Sequence, residues 1–284
     1  MPGGAATDTM TRRDRNIAYR SRPLSYHARR FDTVPCILVV ACFFVAAGGC
    51  VDLRVPDPDV RYVAFGDSAT AGPSTRDYPD ILGDLLGEPA GSIANEGLGG
   101  EAAAEGLDRL RALIADEIYP NATVLLYWEG GNDITSFIKE YDPLFLYSPD
   151  DPDYPFTAEL EERLDQVRSD AWMALLAGED AGLTVYAATY FPMREDLQEC
   201  DALLLNIILP AQAAIANAYV DMLNARIRSA VSAAAGATLV DVAGLGVSLT
   251  ASADNYYNCN HLSEQGNQVV AELFAQRIRT NAAP

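Results

Sequence analysis

Short apolar runs alternate with stretches of helical periodicity from about residue 62 to residue 279. The apolar runs have the length of buried strands, and in the segments between them apolar residues recur every three to four positions. This alternation predicts an α/β fold, a doubly wound parallel sheet in three layers with helices on both faces. We expect five strands, at 62–65, 92–95, 123–128, 184–190 and 238–242, and helices near 78–86, 102–117, 158–176, 210–234 and 263–279.

One segment, 136–156, does not fit this alternation. It is longer than an ordinary connection between elements, and it is rich in Asp, Pro and aromatic residues. Two interpretations are open: a lid over a substrate, or a long loop anchored by packed aromatic side chains. The aromatic residues concerned are Tyr141, Phe145, Tyr147, Tyr154 and Phe156.

Small and polar residues follow the first three predicted strands. Ser68 comes after the first strand, a glycine-containing stretch at 97–100 after the second, and another at 130–133 after the third. Because parallel strands end at the same edge of a sheet, we expect these three loops to lie together. A serine in a Gly-Asp-Ser turn is by itself more often a turn residue than a nucleophile.

The N-terminal 50 residues are predicted to be a signal peptide. An Arg-rich stretch at 11–33 precedes an apolar run at 34–49, and that run is shorter than the ~20 residues of a membrane-spanning helix. The run ends in Ala-Gly-Gly-Cys50, which resembles the lipobox of bacterial lipoproteins and predicts lipidation of Cys50. Cleavage as an ordinary signal peptide is the alternative, and Met10 is an alternative start. We then expect residues 51–60 to form a tether and residues 61–284 to form the functional domain.

The predicted mature chain is strongly acidic. The whole chain has 20 Lys and Arg against 40 Asp and Glu, and beyond residue 50 the balance is 13 against 37, a net charge of −24. Such a charge repels phosphates and anionic membrane surfaces, so we expect no nucleic-acid partner, and membrane contact only through a lipid on Cys50. We expect a monomer in the cell envelope, or in the periplasm or medium if it is not lipidated.

Cysteine and histidine are scarce beyond the export segment. Cys200 and Cys259 are the two remaining thiols, which in an oxidising compartment indicate a disulfide, with two buried free thiols as the alternative. His261 is the single remaining histidine, since His27 lies in the export segment. Zinc and iron sites usually need several His or Cys ligands, so neither a metal nor another cofactor is expected.

Four short motifs together resemble the SGNH hydrolases, also called GDSL esterases and lipases. They are Gly-Asp-Ser68, Asn-Glu-Gly-Leu-Gly-Gly100, Gly-Gly-Asn132-Asp, and His261 followed by Glu-Gln-Gly. The resemblance implies a flavodoxin-like sheet, Ser68 as nucleophile and His261 as base. It also implies an oxyanion hole made by the backbone N–H of Ser68 and Gly100 and the side-chain N–H of Asn132. Such donors stabilise the negative oxygen of a tetrahedral intermediate.

The chain departs from that family three residues before the histidine, where Asn258 stands in place of the usual Asp. An amide oxygen can orient a histidine ring, yet it brings no charge to stabilise the imidazolium. Three outcomes are open: Asn258 orients His261, a backbone carbonyl or Asp254 does so, or the protein is slow or inactive. A Cys200–Cys259 bridge would hold the histidine loop against the segment after the fourth strand.

These observations predict an exported serine hydrolase acting on acyl or acetyl esters of lipids, glycans or small molecules. A catalytically weak or inactive envelope protein that binds a glycan or acylated ligand in the same cleft is the alternative, prompted by Asn258. A purely structural lipoprotein would give Ser68, Gly100, Asn132 and His261 no reason to occur together.

Overall fold

The computed structural model of the chain describes residues 54–196, 198–200 and 207–281. The predicted signal peptide, the predicted lipidation site Cys50 and the first three residues of the predicted tether lie outside these ranges. Within them, no helix is both long and apolar enough to cross a membrane.

A five-stranded sheet, parallel throughout, organises the fold in the order β2-β1-β3-β4-β7. The predicted five strands and α/β class are confirmed, although the fourth and fifth strands end two residues earlier than expected. Two short strands, β5 and β6, form a separate antiparallel pair that the sequence did not indicate. The strands are β1 Tyr62–Gly66, β2 Ile93–Gly97, β3 Val124–Trp128, β4 Thr184–Ala188, β5 Gln198–Glu199, β6 Ile207–Ile208 and β7 Thr238–Val240.

Helices flank the sheet in two packed groups. In the first group α2 packs against α8, and in the second α5 packs against both α3 and α6. The apolar positions of β1 and β3 are buried between these groups, as expected for parallel strands covered on both faces. The α-helices are α1 Ser68–Ala71, α2 Tyr78–Leu86, α3 Ala103–Ala115, α4 Gly131–Tyr141, α5 Thr157–Asp180, α6 Pro210–Ala233, α7 Gly246–Thr250 and α8 Glu264–Asn281.

An aromatic cluster joins the sheet to the α2–α8 group. The rings of Tyr78 and Phe274 stack with their centres 4.9 Å apart, and Trp128 meets Tyr78 edge-on at 5.5 Å. All three side chains are fully buried. Packing of this kind fixes the end of β3, from which the loop carrying Asn132 departs.

The segment 136–156 is only partly the irregular loop that the sequence suggested, because residues 136–141 belong to helix α4. In the remainder, Phe145 and Tyr154 are buried, and the hydroxyls of Tyr154 and Tyr219 lie 2.9 Å apart. The Asp142 carboxylate accepts hydrogen bonds from the backbone N–H of Leu146 and Tyr147. These contacts favour the anchored loop over the lid.

Candidate active site

Ser68 lies where β1 turns into helix α1, at the carboxyl edge of the sheet. Asp67 caps this helix, and its side chain accepts a hydrogen bond from the backbone N–H of Ala69 at 2.8 Å. A side chain at Gly66 would lie only 2.2 Å from the carbonyl oxygen of Trp128. Glycine is therefore required for the turn that presents Ser68.

The loop after β2 approaches Ser68 directly. A Cβ at Gly99 would lie 3.8 Å from the Cβ of Ser68, and the backbone N–H of Leu98 donates to the carbonyl oxygen of Gly66 at 2.8 Å. Gly100 has a φ of +87°, a left-handed conformation that favours glycine. The sequence therefore placed this loop correctly beside the predicted nucleophile.

Asn132 belongs to the first turn of α4, immediately after β3. Its side-chain nitrogen donates to the carbonyl oxygen of Glu101 at 2.9 Å, one residue after Gly100. The next residue, Asp133, accepts a hydrogen bond from the N–H of Ala103 at 2.8 Å. Two hydrogen bonds thus tie the loop of Asn132 to the loop of Gly100.

Asn258 occupies the position that orients His261. Its Oδ1 lies 3.0 Å from His261 Nδ1 and also accepts from the backbone N–H of His261 at 3.0 Å and of Asn260 at 3.1 Å. Of the three outcomes left open by the sequence, this geometry corresponds to the first. Asp254, the carboxylate considered as a substitute, instead accepts from the Ser263 hydroxyl through its backbone oxygen.

The histidine segment is held against the segment that follows β4. Cys200 and Cys259 form a disulfide, and the Tyr256 hydroxyl donates to the carbonyl oxygen of Pro192 at 2.7 Å. The neighbour of His261, Asn260, lines the same cavity as Ser68 and Asn132. The fold therefore brings the four predicted motifs to one side of the molecule.

A buried carboxylate behind Ser68 connects the loops, and sequence reasoning gave it no role. The Tyr190 hydroxyl donates to Asp67 Oδ2 at 2.6 Å, and the backbone N–H of Gly131 also bonds to this carboxylate. Burial raises the pKa of Asp67 to about 6, although these hydrogen bonds oppose the rise. Asp67 thereby links the turn of Ser68 to the helix that begins beside Asn132.

A second buried acid, Glu129, follows β3 and was also missed. Neither of its carboxyl oxygens has a hydrogen-bond partner of ordinary geometry among the described residues. Burial raises the pKa of Glu129 well above its ordinary value, and the negative charges of Asp67 and Glu101 raise it further. The sequence feature that could have revealed Glu129 is an acidic residue placed directly between an apolar strand and a Gly-Gly pair.

A small cavity of about 80 Å³ opens beside Ser68 and Asn132. Beyond these polar groups its walls are mostly apolar and come from α4, α6 and the segment after β4. No residue of 142–156 appears among its lining residues within the described part of the chain. In the same part, no cluster of His, Cys, Asp or Glu is arranged to hold a metal ion.

Comparison with known proteins agrees with this arrangement. The model of the GDSL-like lipase/acylhydrolase family matches residues 64–269, well over half of the chain. The chain belongs to the GDSL-like lipase/acylhydrolase family. The matched region contains Ser68, Gly100, Asn132 and His261, so all four motifs lie within the part of the chain that defines this membership.

Several solved structures share the fold at low sequence identity. A GDSL-like lipase from Bacteroides thetaiotaomicron is 14% identical, with a TM-score of 0.52 over 80% of this chain and 92% of its own. A psychrotrophic esterase from a Pseudoalteromonas species is 13% identical, with a TM-score of 0.50 over 78% and 97%. An acetyl xylan esterase is 15% identical, with a TM-score of 0.50 over 79% and 100%. A search of curated proteins found no match.

Proposed function

We propose that this GDSL-family protein is an exported serine hydrolase that cleaves carboxylic esters through an acyl-enzyme. The observation that carries the proposal is the linkage of three loops at the carboxyl edge of the sheet. Hydrogen bonds connect the Ser68 turn to the loop of Gly100, and that loop to Asn132. Groups held in this way suit a reaction whose catalysis depends on preorganised donors.

In the first half of the reaction, the Ser68 hydroxyl oxygen attacks the ester carbonyl carbon while the ring of His261 takes the hydroxyl proton. The carbonyl oxygen becomes negative and accepts hydrogen bonds from the backbone N–H of Ser68 and Gly100 and from the amide of Asn132. An amide nitrogen carries two N–H bonds. One of them donates to Glu101, which leaves the second for the substrate.

The intermediate then collapses, the ester C–O bond breaks, and His261 gives its proton to the departing alcohol. In the second half, His261 takes a proton from a water molecule while the water oxygen attacks the acyl carbon. The bond from that carbon to Ser68 Oγ then breaks, His261 returns the proton to Oγ, and the carboxylic acid is released. Asn258 accepts a hydrogen bond from Nδ1, which leaves the other ring nitrogen, Nε2, to serve as the base.

Removal of the nucleophile tests the proposal. We expect Ser68→Ala to abolish turnover of p-nitrophenyl acetate and butyrate and to abolish labelling by a fluorophosphonate probe. Ser248→Ala is the matched control, because Ser248 is exposed and does not line the cavity. Turnover that survives in Ser68→Ala contradicts the proposal, and an inactive wild type that binds an acylated glycan would favour the ligand-binding alternative.

We also propose that the protein is anchored in the cell envelope through a lipid on Cys50 and is a monomer. The Cys200–Cys259 disulfide supports an oxidising location, because such bonds rarely persist in the cytosol. Metabolic labelling with an alkynyl fatty acid in a bacterial host should mark the wild type and not Cys50→Ala. Equal labelling of the two would contradict the anchor.

A further inference from the structure

The cavity beside Ser68 is a mostly apolar pocket. Ser68, Asn132, Thr135 and Asn260 are its half-buried polar lining residues, and most of its fully buried lining residues are apolar. The wall residues from α4 are Ile134 and Ile138, those from α6 are Ala216, Val220 and Leu223, and Met193 comes from the segment after β4.

The position of this pocket relates it to the acyl side of an ester. The carbonyl oxygen must face the donors near Asn132, and the departing alcohol must lie within reach of the histidine that protonates it. Helix α4 carries Asn132 in its first turn and Ile138 two turns later, so one helix supplies both the oxyanion donor and a pocket wall. A substituent on the carbonyl carbon can therefore enter between α4 and α6.

The volume limits what fits. An engineered apolar cavity of about 150 Å³ holds benzene, a molecule of six carbons. In proportion, the 80 Å³ cavity accommodates roughly three non-hydrogen atoms. The buried side chains of Ile138, Ala216 and Leu223 bound this space, and their packing within the core limits its expansion.

We propose that this pocket is an acyl-binding site that selects short acyl groups of about two to four carbons. The proposal rests on the proposed ester hydrolase function and names its substrate class. A longer chain would have to displace packed core side chains or remain in water. Each methylene that enters an apolar site buries further apolar surface, so chains that fit gain affinity with length until the pocket is full.

A series of p-nitrophenyl esters from acetate to decanoate tests the proposal in the wild type. We expect kcat/KM to peak at acetate to butyrate and to fall at least tenfold by octanoate. Absence of hydrolysis at every length would contradict the proposed function itself. Hydrolysis that is fastest for octanoate or decanoate would leave that function intact and overturn the short-acyl site.

Two variants assign the selectivity to the pocket wall. Ile138→Ala enlarges the pocket and should raise the octanoate-to-butyrate ratio of kcat/KM about tenfold, the scale expected for a change of a few methylenes in an apolar pocket. Ile118→Ala is the matched control, because Ile118 has the same 7% exposure and does not line the cavity. Both variants lose stability, and only Ile138→Ala should change the ratio.

A filling variant decides the question if Ile138→Ala does not fold. Ala216→Leu places a larger side chain on the α6 wall and should lower kcat/KM for butyrate about tenfold more than for acetate. An unchanged ratio in the folded Ile138→Ala protein, or in Ala216→Leu, would overturn the assignment of the pocket.

Discussion

The segment carrying Ser68 and the segment carrying His261 are stabilised in different ways. Behind Ser68 lies a buried carboxylate, Asp67, bonded to the Tyr190 hydroxyl and close to a second buried acid, Glu129. Near His261 lie a neutral amide, Asn258, and the Cys200–Cys259 disulfide. The comparison teaches that buried ionisable carboxyls are concentrated behind the nucleophile, whereas an amide and a covalent bond help to hold the segment of the proposed base.

The largest effect on turnover is expected from changing a buried carboxyl behind Ser68. Asp67→Asn replaces one carboxylate oxygen with an NH₂ group, which cannot accept a hydrogen bond. At least one of the hydrogen bonds from Tyr190, Ala69 and Gly131 must therefore break. We expect kcat to fall about 10²-fold with little change in KM, because displaced oxyanion donors cost this much. Steady-state kinetics checks this result.

Tyr190→Phe should give a smaller loss of kcat, since Asp67 keeps its bonds to backbone N–H groups. Asp108→Asn is the control, because that carboxylate is exposed on α3. A wild-type kcat in Asp67→Asn would mean that the buried carboxylate does not position the loops.

The neutral side is tested at Asn258. Asn258→Ala removes the acceptor of the His261 ring, and we expect kcat to fall about tenfold through lost orientation. Asn258→Asp supplies the charge that the segment lacks. Because a carboxylate stabilises the protonated imidazolium, the acid limb of the kcat/KM profile should move to higher pH.

A pH profile of the three proteins measures both effects. Identical acid limbs in the wild type and Asn258→Asp would show that this position does not act on the proposed base.

The disulfide gives a smaller effect on activity. Reduction, or the double change Cys200→Ala with Cys259→Ala, should lower kcat a few-fold while the fold persists, because hydrogen bonds still hold the histidine segment. The bridge spans 59 residues of sequence, and the chain-entropy model assigns it about 4 kcal/mol of stability.

Thermal unfolding and activity should therefore both be measured with and without dithiothreitol. The double variant serves as the control, since its activity should not respond to the reductant. Unchanged activity of the reduced wild type would contradict a role for the bridge in placing His261.

The smallest effect on turnover comes with a pH dependence that acts on stability instead. The pKa of Asp67 is raised to about 6, so its carboxyl holds a proton in the folded state at pH values where the unfolded chain has lost it. Stability from this group is complete below about pH 4 and is lost as pH rises through about 6, to a total on the order of 3 kcal/mol.

Urea denaturation between pH 4 and pH 7 checks this sign. The free energy of unfolding of Asp67→Asn should decline less steeply with rising pH than that of the wild type. The raised pKa of Glu129 should contribute to the decline in the same direction. A wild type that gains as much stability as Asp67→Asn on raising the pH would contradict the assignment.

The sequence predicted those elements of the fold whose apolar residues form one continuous buried face. The five parallel strands followed from apolar runs, whereas α4 was missed because it begins at the Gly130–Gly131 pair, which is typical of a turn. Its helical spacing is nevertheless present in the sequence, at Ile134, Phe137, Ile138 and Tyr141.

The residues of the site also divide into those that the sequence indicates and those that only the structure reveals. Ser68, Asn132 and His261 stand in short motifs and could be found by type and order. Asp67 and Tyr190 are 123 residues apart, and only the folded sheet brings the Tyr190 hydroxyl within 2.6 Å of the Asp67 carboxylate. The burial that raises the pKa of Glu129 likewise depends on packing from several elements, which no local pattern records.

The Asn258 amide also has a consequence for the protein in concentrated salt. Dissolved ions weaken the attraction between separated charges. The screening length is about 8 Å at physiological ionic strength and becomes shorter in stronger salt. A hydrogen bond between an uncharged imidazole and an amide offers little for such ions to weaken. On a chain with 40 acidic and 20 basic side chains, the proposed base is therefore expected to keep its orientation from dilute buffer to concentrated salt.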